Sequence, residues 1–230
     1  MRLSGRVATA AAVLALLVGC GNDKSGPNPM VSAIGAMAKQ GVAKVKAKKA
    51  EGGQPATKAA TPAELRGQLE AAGKPVLLVS SKTLGQTGFL GISDAKGDVV
   101  TWRTPDGATF SQRNGVLIQT RGLGADLMSA QAPSVGQLMQ PGTSYQRIYY
   151  FLGDDDQGTR RTYDCKTTIV GKESIDVLGR SFGATHVTEL CERPLGKVTN
   201  DYWIEGSSIR QSRQWVSGAI GYIDFQRVID

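Results

Sequence analysis

The most constraining feature of this chain is a long succession of short, strand-like runs that starts near residue 76. About ten runs rich in β-branched, aliphatic and aromatic residues follow one another, and turn-forming groups such as SDAKGD, TPDG and RNG separate them. Asp106-Gly107 and Asn114-Gly115 predict tight hairpins, because both pairs accept the positive φ angles of primed turns. A passage at 123–141 and the link GKESIDVLG at 171–179 lack the strand pattern and are predicted to connect strands.

The predicted fold class is mainly β, because strands in series without intervening helices favour an antiparallel meander. We expect the meander to curl into a barrel-like or half-barrel sheet, since exposed strand edges pair with other chains. One N-terminal helix is predicted over about residues 61–73. Thr61 can be its N-cap, with Glu64 as the capping-box partner. Pro62 is favourable in the first turn of this helix, and Gly73 marks its C-terminal end.

The first 60 residues carry a different pattern. Residues 1–19 are predicted to be a secretory signal, because arginines near the start precede about a dozen mostly apolar residues. The sequence LVGC that ends at Cys20 is similar to a bacterial lipobox, in which the signal peptidase cuts before the cysteine and lipid such as palmitate is attached to it. We therefore predict that Cys20 is the lipidated N-terminus of the mature protein. The alternative is an ordinary signal with a chance cysteine.

A lipidated Cys20 would anchor the protein to a membrane without a spanning helix, since several acyl chains together bind durably. Gly21 stands where some bacteria use aspartate to retain lipoproteins in the inner membrane, so we predict the periplasmic face of the outer membrane. Residues 20–60 are rich in alanine, glycine, lysine and proline and predict a flexible tether. The lysines of this tether could bind anionic lipid head groups. The alternative is that they keep a flexible linker solvated. Residues 61–230 form the single predicted β-rich periplasmic domain.

Cys165 and Cys191 each end a predicted strand, and the segment between them could return the chain so that they become neighbours. In an oxidising compartment we expect them to form a disulfide, worth about 3.5 kcal/mol in the loop-entropy view. The alternative is two separate buried thiols. A metal site is not predicted, because no second cysteine stands two to four residues from either one.

The chain carries none of the motifs that mark common catalytic centres. It has no G-x-S-x-G elbow, phosphate loop, H-E-x-x-H motif or EF-hand, and His186, the only histidine, is predicted to be an ordinary sheet residue. The acidic run GDDDQG predicts a solvated turn, with calcium as the minor alternative. We therefore predict that the protein is not an enzyme and needs no cofactor. Nucleic acid is not an expected partner, because much of the net charge of +7 comes from the tether's lysines.

Three stretches resemble one family. They are the lipobox ending at Cys20, the segment FSQRNGVLIQTRGLGADL at 110–127 and the run NDYWIEGSSIRQSRQWVSGAIGYIDFQ at 200–226. Together they are similar to the YjbF/GfcB family of outer-membrane lipoproteins from exopolysaccharide and group 4 capsule operons, over about residues 63–228. The resemblance implies a barrel-like β meander with a non-enzymatic role in assembling or exporting polysaccharide. It implies polysaccharide and export-machinery proteins as partners, and it brings no catalytic residues.

Aromatic and cationic residues in the last strands could contact a glycan, because sugar rings stack on aromatic faces while their hydroxyls need polar partners. Trp203, Arg213 and Trp215 are the predicted contacts. The alternative is that both tryptophans belong to the core. Alternation along the strand puts Arg213 and Trp215 on one face and Arg210 on the other.

Two other functions fit the sequence. A lipid- or lipoprotein-binding carrier of open-barrel type predicts a dry apolar cavity inside the sheet. A glycan-acting enzyme predicts two carboxylates about 5 to 9 Å apart in a groove.

Overall fold

The computed structural model describes residues 60–152 and 158–230 of the chain. Within them, twelve strands form a single sheet whose neighbouring strands all pair antiparallel. In chain order the elements are α1 Pro62–Ala71, β1 Val76–Ser81, β2 Gln86–Lys96, β3 Val99–Arg103, β4 Thr109–Arg113, β5 Val116–Arg121, β6 Leu127–Gln131, α2 Val135–Leu138, β7 Ser144–Leu152, β8 Gly158–Val177, β9 Arg180–Arg193, β10 Gly196–Glu205, β11 Ser208–Ser217 and β12 Gly221–Ile229.

The meander closes on itself because β1 pairs with β12. The two ends of the sheet, β5 and β6, are consecutive in the chain and meet at a seam bridged by side chains. The Arg121 guanidinium donates to the carbonyl oxygens of Leu127 and Met128, both at 3.3 Å. The Leu127 amide donates to the Thr120 hydroxyl at 2.9 Å. The result is a nearly closed, barrel-like sheet, which confirms the predicted fold class.

Helix α1 begins as predicted and packs on the outside of the barrel. The Thr61 amide donates to the Glu64 carboxylate at 2.7 Å, and the Glu64 amide donates to the Thr61 hydroxyl at 3.3 Å, which completes a capping box. The apolar side of the helix, which includes Leu69, packs against the tip of the β8–β9 hairpin and the end of β12. Neither helix within the described ranges has the length and apolarity that crossing a bilayer takes.

Arg66 joins α1 to both of these elements. Its buried guanidinium donates to the carbonyl oxygens of Val177 at 2.6 Å, Leu178 at 3.2 Å and Val228 at 2.8 Å. Charged hydrogen bonds of this kind are among the stronger ones in proteins. The helix is therefore held on the sheet by polar contacts as well as by its apolar side.

Three local predictions from the sequence are wrong. Residues 171–177 continue strand β8, so the predicted link shortens to a turn at Leu178 and Gly179. The passage 123–141 contains strand β6 and the short helix α2, where the Ser134 side chain and Gln137 form a second capping box. At the β3–β4 turn only Gly107 has a positive φ, whereas at the β4–β5 turn both residues of the Asn-Gly pair do.

The β4–β5 turn pinches the barrel. Gly115 has a φ of 88°, and a Cβ placed there would lie 2.9 Å from the Ile209 Cβ of β11, so only glycine allows this approach. We distinguish two regions of the interior, which share one apolar core: the surroundings of Glu189 and the cleft that Gly115 and Ile209 line. Buried apolar residues fill much of the interior, among them Leu77, Leu90, Trp102, Phe110, Tyr149, Trp215 and Phe225.

Candidate functional site

The first interior region holds a closed network of polar groups around the carboxylate of Glu189. Arg147 donates to it at 2.6 Å, Asn200 at 2.7 Å and the Tyr202 hydroxyl at 3.1 Å. The Tyr145 hydroxyl donates to the second carboxylate oxygen at 2.6 Å. Both members of the Arg147–Glu189 ion pair are fully buried. A buried carboxylate with this many donors is saturated and has little capacity left for a ligand.

The same network crosses the barrel and holds β5 in place. Arg147 donates to the Leu117 carbonyl at 3.3 Å, and the Leu117 amide donates to the Gln214 side chain at 2.8 Å. The Gln214 amide nitrogen donates back to the Gly115 carbonyl at 2.9 Å. These bonds tie β7 and β11 to β5 across the interior, and they secure the pinch.

Burial and the network shift the acidity of the groups involved. Burial raises the pKa of Tyr149 to about 12 and raises the pKa of Tyr145 and of Tyr202 well above the ordinary value. For Arg147, burial acts to lower the pKa, but the Glu189 carboxylate together with the hydroxyls of Tyr149 and Tyr202 more than offsets burial, so the pKa rises. All of these groups therefore keep their neutral-pH charge states, and none is tuned for proton transfer near pH 7.

Cys165 and Cys191 lie opposite each other on β8 and β9 and form a disulfide, as predicted, with their Cα atoms 4.0 Å apart. Glu189 lies close to both sulfur atoms. Three such groups together could hold a metal if the thiols were free, but sulfurs bonded to each other cannot act as thiolate ligands. This cluster therefore reinforces the network rather than forming a metal centre.

The second interior region is a cleft of about 140 Å³ beside the pinch, and both Gly115 and Ile209 line it. Strands β1, β3, β4, β11 and β12 supply its walls, and the β2–β3 and β4–β5 turns form part of its rim. It opens at the end of the barrel where β1 begins and β12 ends. The apolar part of its lining includes Leu77, Trp102 and Phe225.

Polar residues complete the lining of the cleft. Gln112 and Ser212 are only 4% and 1% exposed, and both are lining residues. The Ser212 oxygen accepts a bond from Gln214 at 2.9 Å. Arg210 and Arg227 stand at the rim. An apolar wall with a few converging polar groups is the usual composition of a binding site for a small ligand.

The three predicted glycan contacts do not form one surface. Trp215 is 8% exposed and packs edge-on against Tyr149 at 5.3 Å and Phe151 at 5.8 Å, inside the barrel. Arg213 lies over the ring of Tyr222 at 5.0 Å. Trp203 faces outward on β10. A glycan contact by any one of them stays a prediction.

Trp203 belongs to a polar cluster on the outer face. Its indole donates to Glu173 at 2.7 Å, and its ring stacks on His186 at 4.5 Å. The two ring nitrogens of His186 contact the carboxylates of Glu173 at 2.9 Å and Asp201 at 3.1 Å. The histidine does lie in a strand, as predicted, and its ring contacts join β8, β9 and β10.

Residues 54–228 match the family described as "Group 4 capsule polysaccharide lipoprotein gfcB, YjbF". The chain belongs to this family. No curated protein matches it. Among solved structures, the hypothetical lipoprotein YmcC from Escherichia coli K12 is similar, with a TM-score of 0.64 and 18% sequence identity, over 72% of this chain and 88% of that one. At this identity the likeness concerns the fold alone.

Several predictions for this YjbF-family chain lie outside the described residues. The signal at 1–19, the lipidation of Cys20 and nearly all of the tether at 20–60 fall before residue 60, and the three aspartates of the acidic run lie within 153–157. The sequence analysis missed Gln112 and Ser212. For Gln112 a signal existed, since it alternates with Phe110 in a strand whose apolar positions predict an inward face.

Proposed function

We propose that this YjbF-family chain is a lipid-anchored, non-enzymatic protein that takes part in assembling or exporting capsule polysaccharide at the periplasmic face of the outer membrane. The observation that carries the proposal is the match of residues 54–228 to a family described as capsule polysaccharide lipoproteins. The LVGC sequence ending at Cys20 supports the lipid anchor, and Gly21 supports the outer membrane.

The contacts inside the barrel support a binding role rather than catalysis. The most buried carboxylate, Glu189, is engaged by four donors, and its disulfide neighbours offer no free thiol. His186 contacts two carboxylates and stacks on Trp203, which leaves it no free ring nitrogen to act on a serine or water. Release of reducing ends from the cognate polysaccharide by the purified protein would contradict a non-enzymatic role.

A strain that lacks the gene and carries plasmid-borne variants tests the anchor. We expect Cys20→Ser to abolish labelling with radioactive palmitate and to lower surface polysaccharide strongly, because the protein would lose its lipid. Ser25→Ala, a substitution in the same segment, should leave both unchanged. Persistent labelling of Cys20→Ser would overturn the anchor, and a full capsule in the deletion strain would overturn the role in capsule formation.

Membrane fractionation tests the outer-membrane part of the proposal. Gly21→Asp places the predicted inner-membrane retention residue directly after Cys20. We expect the natural chain in the outer-membrane fraction and the Gly21→Asp chain in the inner-membrane fraction, with palmitate labelling equal in the two. Recovery of the natural chain in the inner membrane would contradict the assignment.

The lipid-carrier alternative receives little support. Large apolar and aromatic side chains fill much of the barrel, and the cleft beside the pinch has polar residues in its lining. A volume of about 140 Å³ is small beside the roughly 300–1,000 Å³ of pockets that enclose drug-sized ligands. Lipid that co-purifies with the protein in stoichiometric amounts would favour the carrier instead.

A further inference from the structure

We propose that the cleft beside the pinch binds one neutral sugar unit of the polysaccharide, and that Gln112 and Ser212 supply its buried hydrogen-bonding groups. This inference rests on the proposed function. It goes further by assigning the contact to a defined site, which none of Trp203, Arg213 and Trp215 lines.

The strongest indication is the side chain of Gln112. Its side chain is only 4% exposed and lines the cleft, and its amide atoms, which are open to the cleft, make no hydrogen bond to the described residues. The indole N–H of Trp102, which also lines the cleft, is buried without a hydrogen-bond partner among the described residues, and buried polar groups in proteins are nearly always paired. A glutamine amide offers two donors and one acceptor, which match the hydroxyl groups of a sugar.

Ser212 provides the second polar group beside Gln112. Its oxygen already accepts from Gln214, so its own hydroxyl hydrogen remains free to donate among the described residues. The pair therefore presents donors and an acceptor to the same small space. Gln214, which fixes the Ser212 oxygen, is itself held by Leu117 and Gly115, so the site is rigid before a ligand arrives.

The walls and the volume limit the size of the ligand. Leu77, Trp102, Val100 and Phe225 give apolar surface on which the carbon face of a ring can pack. The cleft holds about 140 Å³, the room of about four or five water molecules. One ring with its hydroxyls suits this space, while an acyl chain or several rings in a row do not.

The charges at the rim favour a neutral ligand. Arg210 donates to Glu205 at 2.6 Å and to Asp230 at 2.7 Å, and Arg227 lies 3.0 Å from the same Asp230 carboxylate. Asp98 is 3.4 Å from Arg113. Each cation therefore already has an anionic partner, and the rim offers no uncompensated positive charge for a uronic acid or a phosphate.

The three tryptophans of the chain provide a direct readout. Trp102 lines the cleft, Trp215 lies in the aromatic cluster and Trp203 lies on the outer face. We would label the full mature lipoprotein, held in detergent micelles, with ¹⁵N-tryptophan and follow the three indole signals. The probes are the methyl glycosides of glucose, galactose and mannose, methyl glucuronide, and a partial hydrolysate of the capsule of the host strain.

We expect the hydrolysate and at least one neutral glycoside to shift the Trp102 signal while the Trp203 and Trp215 signals stay in place. Gln112→Leu should weaken this binding about tenfold or more, because the ligand loses its buried partners. Gln211→Leu, the same change on the outer face of β11, should leave binding unchanged. If Gln112→Leu fails to fold, Val100→Phe, which narrows the cleft, should give the same loss.

Other outcomes would overturn the proposal. Shifts at Trp203 with Trp102 unmoved would place the glycan outside the cleft, and tighter binding of methyl glucuronide would contradict a neutral ligand. No shift with any probe would also overturn it, while the proposed function could still hold if deletion of the gene removes the capsule. A deletion strain with a normal capsule would instead remove the proposed function itself.

Discussion

Both interior regions of the barrel contain polar residues, but the two regions differ in how completely these residues are hydrogen-bonded. Around Glu189 both carboxylate oxygens accept hydrogen bonds, four in all, and the disulfide lies beside this carboxylate. Among the polar atoms of the ion pair, only Arg147 Nε is buried without a partner in the described part of the chain. In the cleft, the amide of Gln112 is open to the cavity and the indole N–H of Trp102 is buried, and neither has a partner among the described residues. Saturated polar groups stabilise one arrangement, whereas unsaturated ones retain the capacity to bind. The network around Glu189 is therefore expected to stabilise the fold, and the cleft is the proposed binding site.

The largest expected effect comes from breaking the closed network. Glu189→Gln keeps the shape of the side chain but leaves Arg147 as a buried, uncompensated charge, which should lower the free energy of unfolding by about 3–5 kcal/mol. Urea denaturation measures it. Glu192→Gln, an exposed position on the same strand, should change stability by less than about 0.5 kcal/mol. Equal losses of unfolding free energy at the two positions would show that the network does not stabilise the fold.

The disulfide should rank next. Replacing both Cys165 and Cys191 with alanine should lower the free energy of unfolding by about 3 kcal/mol, because the unfolded chain regains the freedom that a cross-link over 26 residues removes. Differential scanning calorimetry of the variant beside the natural chain measures this loss. No change in stability on removing the disulfide would mean that the network alone holds this side of the barrel.

Alkaline pH tests the burial of the tyrosines. The pKa of Tyr149 is about 12 in the folded protein, against about 10 in an unfolded chain. Between these values the unfolded state releases its proton first, so stability should be constant below about pH 10 and fall as pH rises toward 12. The fall should be about 2–3 kcal/mol for this group alone. Flat stability over this window would show that Tyr149 is accessible to water.

The smallest expected effect comes from a direct comparison of the two regions, in which glutamine is replaced by leucine in each. Gln214→Leu removes bonds to Leu117, Gly115 and Ser212 and should cost about 2–3 kcal/mol. Gln112→Leu removes a side chain without such bonds and should change stability by less than about 0.5 kcal/mol, or increase it. Parallel urea titrations measure both, and a large loss for Gln112→Leu would mean that its amide has a structural role.

What the sequence could predict follows from the range of the interactions involved. The strands, the capping box at Thr61 and the Asn114-Gly115 turn depend on neighbours in the chain, so residue patterns were sufficient. The cysteine pairing needed only the compartment and the strand order. The pinch, by contrast, brings Gly115 into contact with Ile209, which is far away in the sequence. No local residue pattern predicts this contact.

The tryptophans show the same limit. Simple alternation puts Trp215 on the face of Arg213, but the register of β11 and β12 shifts between Trp215 and Ser217. At this irregularity Gln214, Trp215 and Val216 are all buried, so Trp215 joins the interior cluster instead. A bulge is decided by packing across the barrel, which one sequence does not reveal. The candidate site is therefore the cleft, whose walls include other residues of β11 and β12 than the predicted Arg213 and Trp215.

The cleft, rather than the outer face, is the proposed site of contact with the polysaccharide. The most direct test replaces the chromosomal gene with Gln112→Leu or Gln211→Leu and measures surface polysaccharide at equal amounts of lipoprotein. The account predicts that Gln112→Leu lowers surface polysaccharide severalfold while Gln211→Leu leaves it at the natural level. Equal polysaccharide in the two strains would contradict it.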